Sequence, residues 1–585
     1  MLKTAEGEKV SSNNCLLEYP RPQFRRDSYF PLNGTWDFSI DHNKAIPSAY
    51  PDKILVPFSV ESPLSGIGKS VRKEDVLHYR RFFTLPQGFN QGVVLLHLDA
   101  VDQIVHVFLN GKEVGHHEGG YLPLCVELHD VQEGENELCL TVTDDTDSPV
   151  FPRGKQSNKA SGIWYTPTSG VWQSVWLESV PHSFITSVKL TPDFDKKSLR
   201  IHVSYAGDPK WLYATVMKEG QKAEGVLLDQ AGNGVLDLSQ DFHPWSPEDP
   251  HLYDLDLVCG EDVVHAYFAM RKCSVGKVKG KKVFCLNDKP ILLSGVLDQG
   301  YFPESGLTPP TDEAMAQDVR LMKEMGFNFI RKHIKIEPLR WYYHCDRLGM
   351  LVFQDFVNGG APYSKFLIAA APFLHLSIND RSPRKMKRLG RGDYDSRRQF
   401  LNDLSGTAEH LYNSPSIVGW TIFNEGWGQF ETFKSFAILK TIDGSRVVDA
   451  DSGWYDQGIG DFDSHHVYFR KVRLKNKGDR ILSLSEFGGY SLKVPEHFGD
   501  KKAFGYKFFQ DQAGLEKGVA SLYEKQILPL IEKEGLGVLA YTQLSDVEGE
   551  VNGLVTYDRK VIKVSPERMK KINASLREAW ERFLS

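Results

Sequence analysis

Apolar and polar residues alternate in short runs through the first ~270 residues, among them Val93–Leu98 (VVLLHL), Ile104–Leu109 (IVHVFL) and Glu137–Val142 (ELCLTV). Turn signals such as Asn110-Gly111 and Glu118-Gly119-Gly120 separate them, a pattern that predicts antiparallel strands packed as a sandwich. A second β-rich unit runs from Phe184 to Val275, with Leu199–Tyr205 and Leu252–Val258 as strands and a Pro-rich corner at Trp245–Pro250. Its length of about 90 residues fits an immunoglobulin-like sandwich. Beyond Phe284 apolar strands alternate with amphipathic helices. Strands are predicted at Ile291–Gly295, Phe327–His333, Leu351–Asp355, Val418–Glu425, Arg446–Asp451, Asp463–Tyr468, Ile481–Glu486 and Val538–Gln543. Helices are predicted at Thr311–Met325, Pro338–Leu348, Gln399–Tyr412 and Gln429–Thr441. Eight such strands spell an eight-stranded β/α (TIM) barrel. The expected division is 1–182, 183–276 and 277–585. The stretch Asn358–Ser396 exceeds an ordinary βα loop and is expected to form a lid or wall over the barrel mouth.

Composition adds exclusions. The chain has 585 residues, too many for one core, and a net charge of −6 that argues against nucleic-acid or membrane-surface partners. The basic run Lys277–Val283 reads as a solvated turn. Seven cysteines show no metal-ligand or disulfide-framework spacing. The first residues lack an apolar signal core, no run reaches transmembrane length, and a cytoplasmic location is the expectation.

The chemistry sits where barrel strands end, because barrel active sites gather at the C-terminal rim. Glu425 ends the fourth predicted strand (VGWTIFNE) and Glu486 the seventh (ILSLSE). Two carboxyl groups of unlike environment suit a retaining glycosidase, one attacking the anomeric carbon and the other moving protons. Phe423, Gly426 and Trp427 would keep Glu425 in apolar surroundings as acid/base. Arg331 and Tyr468, at the ends of strands two and six, would hold Glu486 ionised as nucleophile. His465 and His466 are neighbours on a strand and point to opposite faces, which disfavours a metal pair.

With these motifs in view the chain resembles glycoside hydrolase family 2, the family of β-galactosidases, β-glucuronidases and β-mannosidases. Leu32–Phe38 (LNGTWDF), Tyr79–Phe83, Phe108–Gly111, Ser161–Trp164 and Ser169–Gln173 resemble its jelly-roll sugar-binding domain. Trp245–Leu257 resembles the closing strands of its immunoglobulin-like domain. Phe423-Asn424-Glu425 matches the acid/base motif and Ser485-Glu486-Phe487-Gly488 the nucleophile motif. The resemblance implies a multidomain fold of N-terminal β jelly-roll sandwich, immunoglobulin-like β-sandwich and C-terminal eight-stranded β/α barrel. It also implies that Asn424 binds the sugar 2-hydroxyl, that Arg331 and Tyr468 serve the nucleophile, and that a loop equivalent to Asp144–Gln156 reaches the barrel mouth.

Departures bear on the substrate. After strand two the chain reads Arg331-Lys332-His333-Ile334, so the usual sugar-contacting histidine is replaced unless His333 substitutes for it. Strand three ends Phe353-Gln354-Asp355-Phe356, closer to β-mannosidases. An acidic cluster, Asp546 to Glu550, stands in place of the Asn-x-Lys that binds a uronate and is expected to repel one. Asp298, Asp355, Glu548 and Glu550 are candidate acceptors for sugar hydroxyls. Trp427, Trp454 and Tyr541 are candidate stacking platforms. The resulting expectation is an exo-acting, retaining glycosidase for β-galactoside-like small glycans, the family's commonest activity. β-Mannosidase or arabinosidase activity and a non-catalytic carbohydrate-binding protein are the alternatives. No cofactor or metal is called for, carbohydrate is the expected partner, and self-association into a homo-oligomer is left open.

Overall fold

The structure, a computed structural model, describes residues 2–362, 367, 378–499 and 502–585. The chain begins with two facing antiparallel sheets. One has six strands in the spatial order 52–56, 34–41, 76–83, 136–143, 104–109 and 112–118; the other pairs 30–31, 175–180, 93–98 and 124–128. Trp36, Phe38, Tyr79, Leu96, Val107 and Leu140 fill the space between them, which is what alternation over these runs demands. A seven-strand sandwich follows, with three strands on one sheet (184–193, 198–206, 233–237) and four on the other (221–227, 212–218, 253–259, 262–268). The jelly-roll and immunoglobulin-like readings describe these two units.

The remainder is an eight-stranded parallel sheet. Its strands are β1 (Leu293–Asp298), β2 (Phe329–Lys332), β3 (Leu351–Asp355), β4 (Ile417–Asn424), β5 (Val447–Ser452), β6 (Phe462–Val467), β7 (Ile481–Gly488) and β8 (Val538–Thr542). The spatial order is β5-β4-β3-β2-β1-β8-β7-β6. Thus β5 and β6 are the two ends of the sheet. They meet through side chains: the Ser464 hydroxyl donates to Asp449 at 2.7 Å, Ser452 and Ser464 lie 3.3 Å apart, and Ser452 contacts His466 at 3.2 Å. Helices follow β1 (Asp312–Glu324), β2 (Leu339–Leu348), β3 (Tyr394–His410), β4 (Thr432–Ile442), β7 (Gln512–Leu522) and β8 (Pro566–Leu584), whereas among the described residues β5 and β6 lead into loops. The first strand runs three residues past the predicted end. The helix before β4 starts at Tyr394, capped by Asp393, because the Asp395–Arg398 polar turn is part of it.

One end of the barrel is sealed. Leu293, Phe329, Leu351, Val418, Val447, Phe462, Ile481 and Val538, each at or next to a strand start, pack around Trp245, Phe284 and Leu286 from the preceding sandwich and hairpin. Ligands therefore approach from the opposite, C-terminal end. All seven cysteines are free. No helix among the described residues is long and apolar enough to cross a membrane. The middle of the stretch expected to form a lid, 363–377 apart from Leu367, lies outside the described residues. Its beginning pairs with the first sandwich, Pro152 bridging Gly359.

Candidate active site

Strand alternation decides which side chains enter the barrel mouth. On β2, Phe329 and Arg331 face inward while Ile330 and Lys332 face the helices; on β3, Asp355 shares the inward face with Phe353. Arg331 is fully buried and spreads its guanidinium over several partners, the Ser485 carbonyl among them at 3.2 Å. Its Nε and Nη2 donate to Asp355 at 3.0 and 2.9 Å, Nη2 also to Asn424 Oδ1 at 2.9 Å, and Nη1 to Glu486 Oε1 at 3.2 Å. The Tyr468 hydroxyl donates to the other oxygen of Glu486 and lies 3.0 Å from Thr542. Tyr468 is braced by Tyr506, whose ring stacks on it at 4.0 Å and 7°.

Burial pushes the Glu486 carboxyl up, yet the charges of His466, Arg331 and His333 and the Tyr468 hydroxyl outweigh it and hold the group at about 2. Glu486 is thus an anion at any ordinary pH. Glu425 lies just past β4 with φ +52°, a left-handed conformation that a non-glycine residue adopts at a cost. Its N–H is tied to the Ser452 carbonyl at 2.9 Å. The next residue must be glycine: at Gly426 (φ +70°) a Cβ would stand 2.2 Å from the Tyr455 ring. The Glu425 side chain keeps 16% exposure, against 6% for Glu486, so it is the carboxyl that meets solvent.

Between them stands His466. Its Nδ1 is 2.8 Å from Glu425 and 3.6 Å from Glu486, and its Nε2 is 3.4 Å from Arg331 Nη1. Glu425, His466 and Glu486 are the one group of three or more His, Cys, Asp or Glu among the described residues whose donor atoms all lie within 4.8 Å of one another. That mixed nitrogen and oxygen set would suit a zinc-like cation. The sequence analysis weighed His466 only with His465 as a metal pair and gave it no place beside the carboxylates. The available signal was that it lies near the end of β6, two residues before Tyr468, which the sequence already placed beside Glu486.

Several expectations need correction. Phe423 does not shield Glu425: its ring stacks on Phe400 at 5.2 Å in the helix layer. Asp298 faces outward on β1 and is consumed by Lys332, which also donates to Glu337 at 2.8 Å. Asp355 is no free hydroxyl acceptor, because Arg331 and His333 (Nδ1 at 2.7 Å) occupy both its oxygens. Tyr541 is 1% exposed on the outer face of β8, against Phe487 at 5.7 Å, and offers no stacking surface. Glu550 accepts from the Tyr165 hydroxyl and from Asn552 at 2.9 Å, and Glu548 accepts from the Thr166 N–H at 2.7 Å. Asp546 is paired with Lys563 at 2.6 Å. The acidic cluster therefore binds the first sandwich and a buried lysine instead of presenting a repulsive anionic surface.

The remaining candidates border the mouth. His333 is buried behind Asp355, and its burial holds its pKa low. Trp427 meets Trp164 of the first sandwich edge-on at 5.0 Å. Trp454 packs on a small cluster with Leu389 and Tyr455. The 144–156 loop does reach the barrel: the Arg153 and Gly154 N–H groups both donate to the Asn358 carbonyl at 2.9 Å.

Comparison with known proteins follows the same division. A β-galactosidase of Thermoanaerobacter pseudethanolicus is 24% identical over 294 residues, 47% of this chain and 39% of that protein. A putative β-glucuronidase of Formosa agariphila is 23% identical over 466 residues, 71% of this chain and 50% of that protein. The chain thus spans half or less of the length of these curated relatives. The structure of a GH2 β-galacturonidase from Eisenbergiella tayi superposes with a TM-score of 0.70 at 17% identity, covering 96% of this chain and 99% of that one, which shows the shared fold. Residues 30–181 match the sugar-binding domain of glycosyl hydrolases family 2 and residues 277–476 its TIM-barrel domain. Together these matches take in more than half of the sequence, and the chain belongs to glycoside hydrolase family 2.

Proposed function

We propose that the protein is a retaining, exo-acting glycosidase in which Glu486 is the nucleophile and Glu425 the acid/base. The observation that carries this reading is the close approach of two carboxylates, one just past β4 and one on β7, with oxygens within 4.8 Å of each other, one group held ionised and the other the more exposed of the two. A double displacement calls for about 5–5.5 Å between carboxyl groups, whereas inversion needs about 6.5–9.5 Å to seat a water. Glu486 attacks the anomeric carbon while Glu425 protonates the departing oxygen. Glu425 then takes a proton from water, which releases the sugar from the ester. Asn424 gives its Oδ1 to Arg331, so its amide N–H is left as a donor for the sugar 2-hydroxyl. Arg331, Asp355 and His333 form the rigid base on which Glu486 sits.

The Trp164–Trp427 contact and the loop seated on Asn358 wall one side of the mouth, a shape that supports removal of a terminal sugar. The glycone is proposed to be β-galactoside-like, in line with the relatives described as β-galactosidases. A panel of 4-nitrophenyl glycosides on the wild type, Glu425→Gln and Glu486→Gln tests the reading, with proton NMR following the product anomer. Retention of configuration is expected. A fully active Glu486→Gln variant would refute the nucleophile assignment, and turnover of no glycoside would favour a carbohydrate-binding role.

A further inference from the structure

Lys155 has no part in the chemistry above, yet it is built into the same mouth. It belongs to the first sandwich, in the loop that Arg153 and Gly154 fasten to Asn358. Gly154 (φ +63°) lies against the barrel so closely that a Cβ there would stand 2.7 Å from the Ile334 carbonyl, one residue past His333. The Lys155 carbonyl accepts from the Tyr165 N–H at 2.9 Å, which fixes the backbone beside the residue that holds Glu550. The residue is only 9% exposed, and its Nζ sits 5.6 Å from the centre of the Trp164 ring.

Among the described residues this ammonium has neither a hydrogen bond nor an ion pair. The carboxylate shown to feel its charge, Glu550, is otherwise engaged, with the Tyr165 hydroxyl and with Asn552 at 2.9 Å. Its charge is felt at both His333, just past β2, and Glu550, beyond β8. A nearly buried cation is ordinarily paired, because desolvation without a counter-charge is expensive. Here, among the described residues, no carboxylate stands within ion-pair distance of it.

We propose that Lys155 is the specificity residue of the sugar pocket, and that the sugar it receives carries an anionic group, a carboxylate or a sulfate ester, bound by its ammonium. The chemistry fits. A charge-assisted contact in a dry pocket is stronger than one to a neutral hydroxyl, and Trp164 and Trp427 provide an apolar wall beside it. This deepens the glycosidase reading, narrowing its β-galactoside-like glycone to one that carries an acidic group, and rests on it for the position of the sugar.

The test compares matched 4-nitrophenyl substrates: β-galactoside with β-galacturonide, β-glucoside with β-glucuronide, and β-galactoside with its 6-sulfate. These are assayed on the wild type, Lys155→Met and Lys155→Arg, with melting temperature as the control for folding. The wild type should prefer an acidic member of a pair. Lys155→Met should lower the acidic-to-neutral ratio of kcat/KM by about 100-fold, mostly through KM, with partial recovery in Lys155→Arg. The sulfate arm tells a carboxylate site from a general anion site. Calorimetric binding of free galacturonate and glucuronate, expected to weaken in Lys155→Met, reads the site without turnover. A wild type that prefers neutral glycosides, or a Lys155→Met variant that slows both members alike, overturns the proposal. Failure of every glycoside with uronate binding intact would sink the glycosidase reading and leave Lys155 standing.

Discussion

Replacing Tyr468 by phenylalanine removes one hydroxyl and little else, because the stack on Tyr506 at 4.0 Å does not use it. The hydroxyl donates to the Glu486 carboxylate, a hydrogen bond to a charged acceptor worth about 1.5–3 kcal/mol. Its value changes along the reaction. During attack the carboxylate loses its charge to the new ester bond, so the hydrogen bond weakens towards that transition state. During release the carboxylate regains its charge, and the bond strengthens. Tyr468→Phe should therefore slow release by roughly 10- to 150-fold, since each 1.36 kcal/mol is a factor of ten. Attack should change far less. On an activated aryl glycoside kcat should fall by that factor, KM should fall with it, and kcat/KM should stay near the wild-type value. Stopped-flow release of the phenol should show a burst, and intact mass spectrometry should find the glycosyl-enzyme accumulated. A fall in kcat/KM as large as that in kcat, with no burst, would show that Tyr468 serves the attack step and that this reasoning is wrong.

Glu425→Gln should cost about 10²–10⁴ in rate on glycosides with poor leaving groups and much less on dinitrophenyl glycosides, with azide restoring turnover as a glycosyl azide; equal losses on both substrates would count against the acid role. Lys332→Met should leave Asp298 without its ammonium partner in the buried interior, and Glu337 with Lys335 alone, and destabilise the barrel by about 3–5 kcal/mol, read as a lower melting temperature or loss of soluble protein; an unchanged melting temperature would contradict that. Asp346 is fully buried, and burial pushes its pKa up to about 6, above the value in an unfolded chain, despite bonds from Ser416 and Tyr267. The fold therefore prefers its protonated form: its contribution is complete below about pH 4 and is lost as pH rises through 6. Asp346→Asn should accordingly lose less melting temperature than the wild type between pH 4 and pH 8, and parallel pH profiles would rule out this assignment.

The barrel was readable in the sequence because its strands are continuous apolar runs ending in polar residues, and Glu425 and Glu486 announce themselves at two of those ends. Arg331 and Tyr468 followed from the same positional logic. What escaped was the direction in which each side chain points when both faces of a strand are buried. Asp298 and Tyr541 carry the right chemistry, but they sit on the helix-facing side of β1 and β8, and nothing in their residue type says so. Pairing was equally hidden. The acidic run at 546–550 looks like free charge until Tyr165, Thr166 and Lys563, hundreds of residues away or across a turn, are seen to occupy it. Phe423 stands next to Asn424 in sequence yet turns to the helices, where Phe400 receives it.

The seam between β5 and β6 has a mechanical meaning. Glu425 follows β4 and Glu486 sits on β7, so each is one strand away from that seam and the shorter way round the hoop between them crosses it. Across it the span is carried by serine hydroxyls, Asp449 and the His466 ring. Side-chain contacts yield more readily than a strand ladder. The gap between Glu425 and Glu486 is therefore a compliant joint in an otherwise stiff ring, where small expansions of the barrel are concentrated.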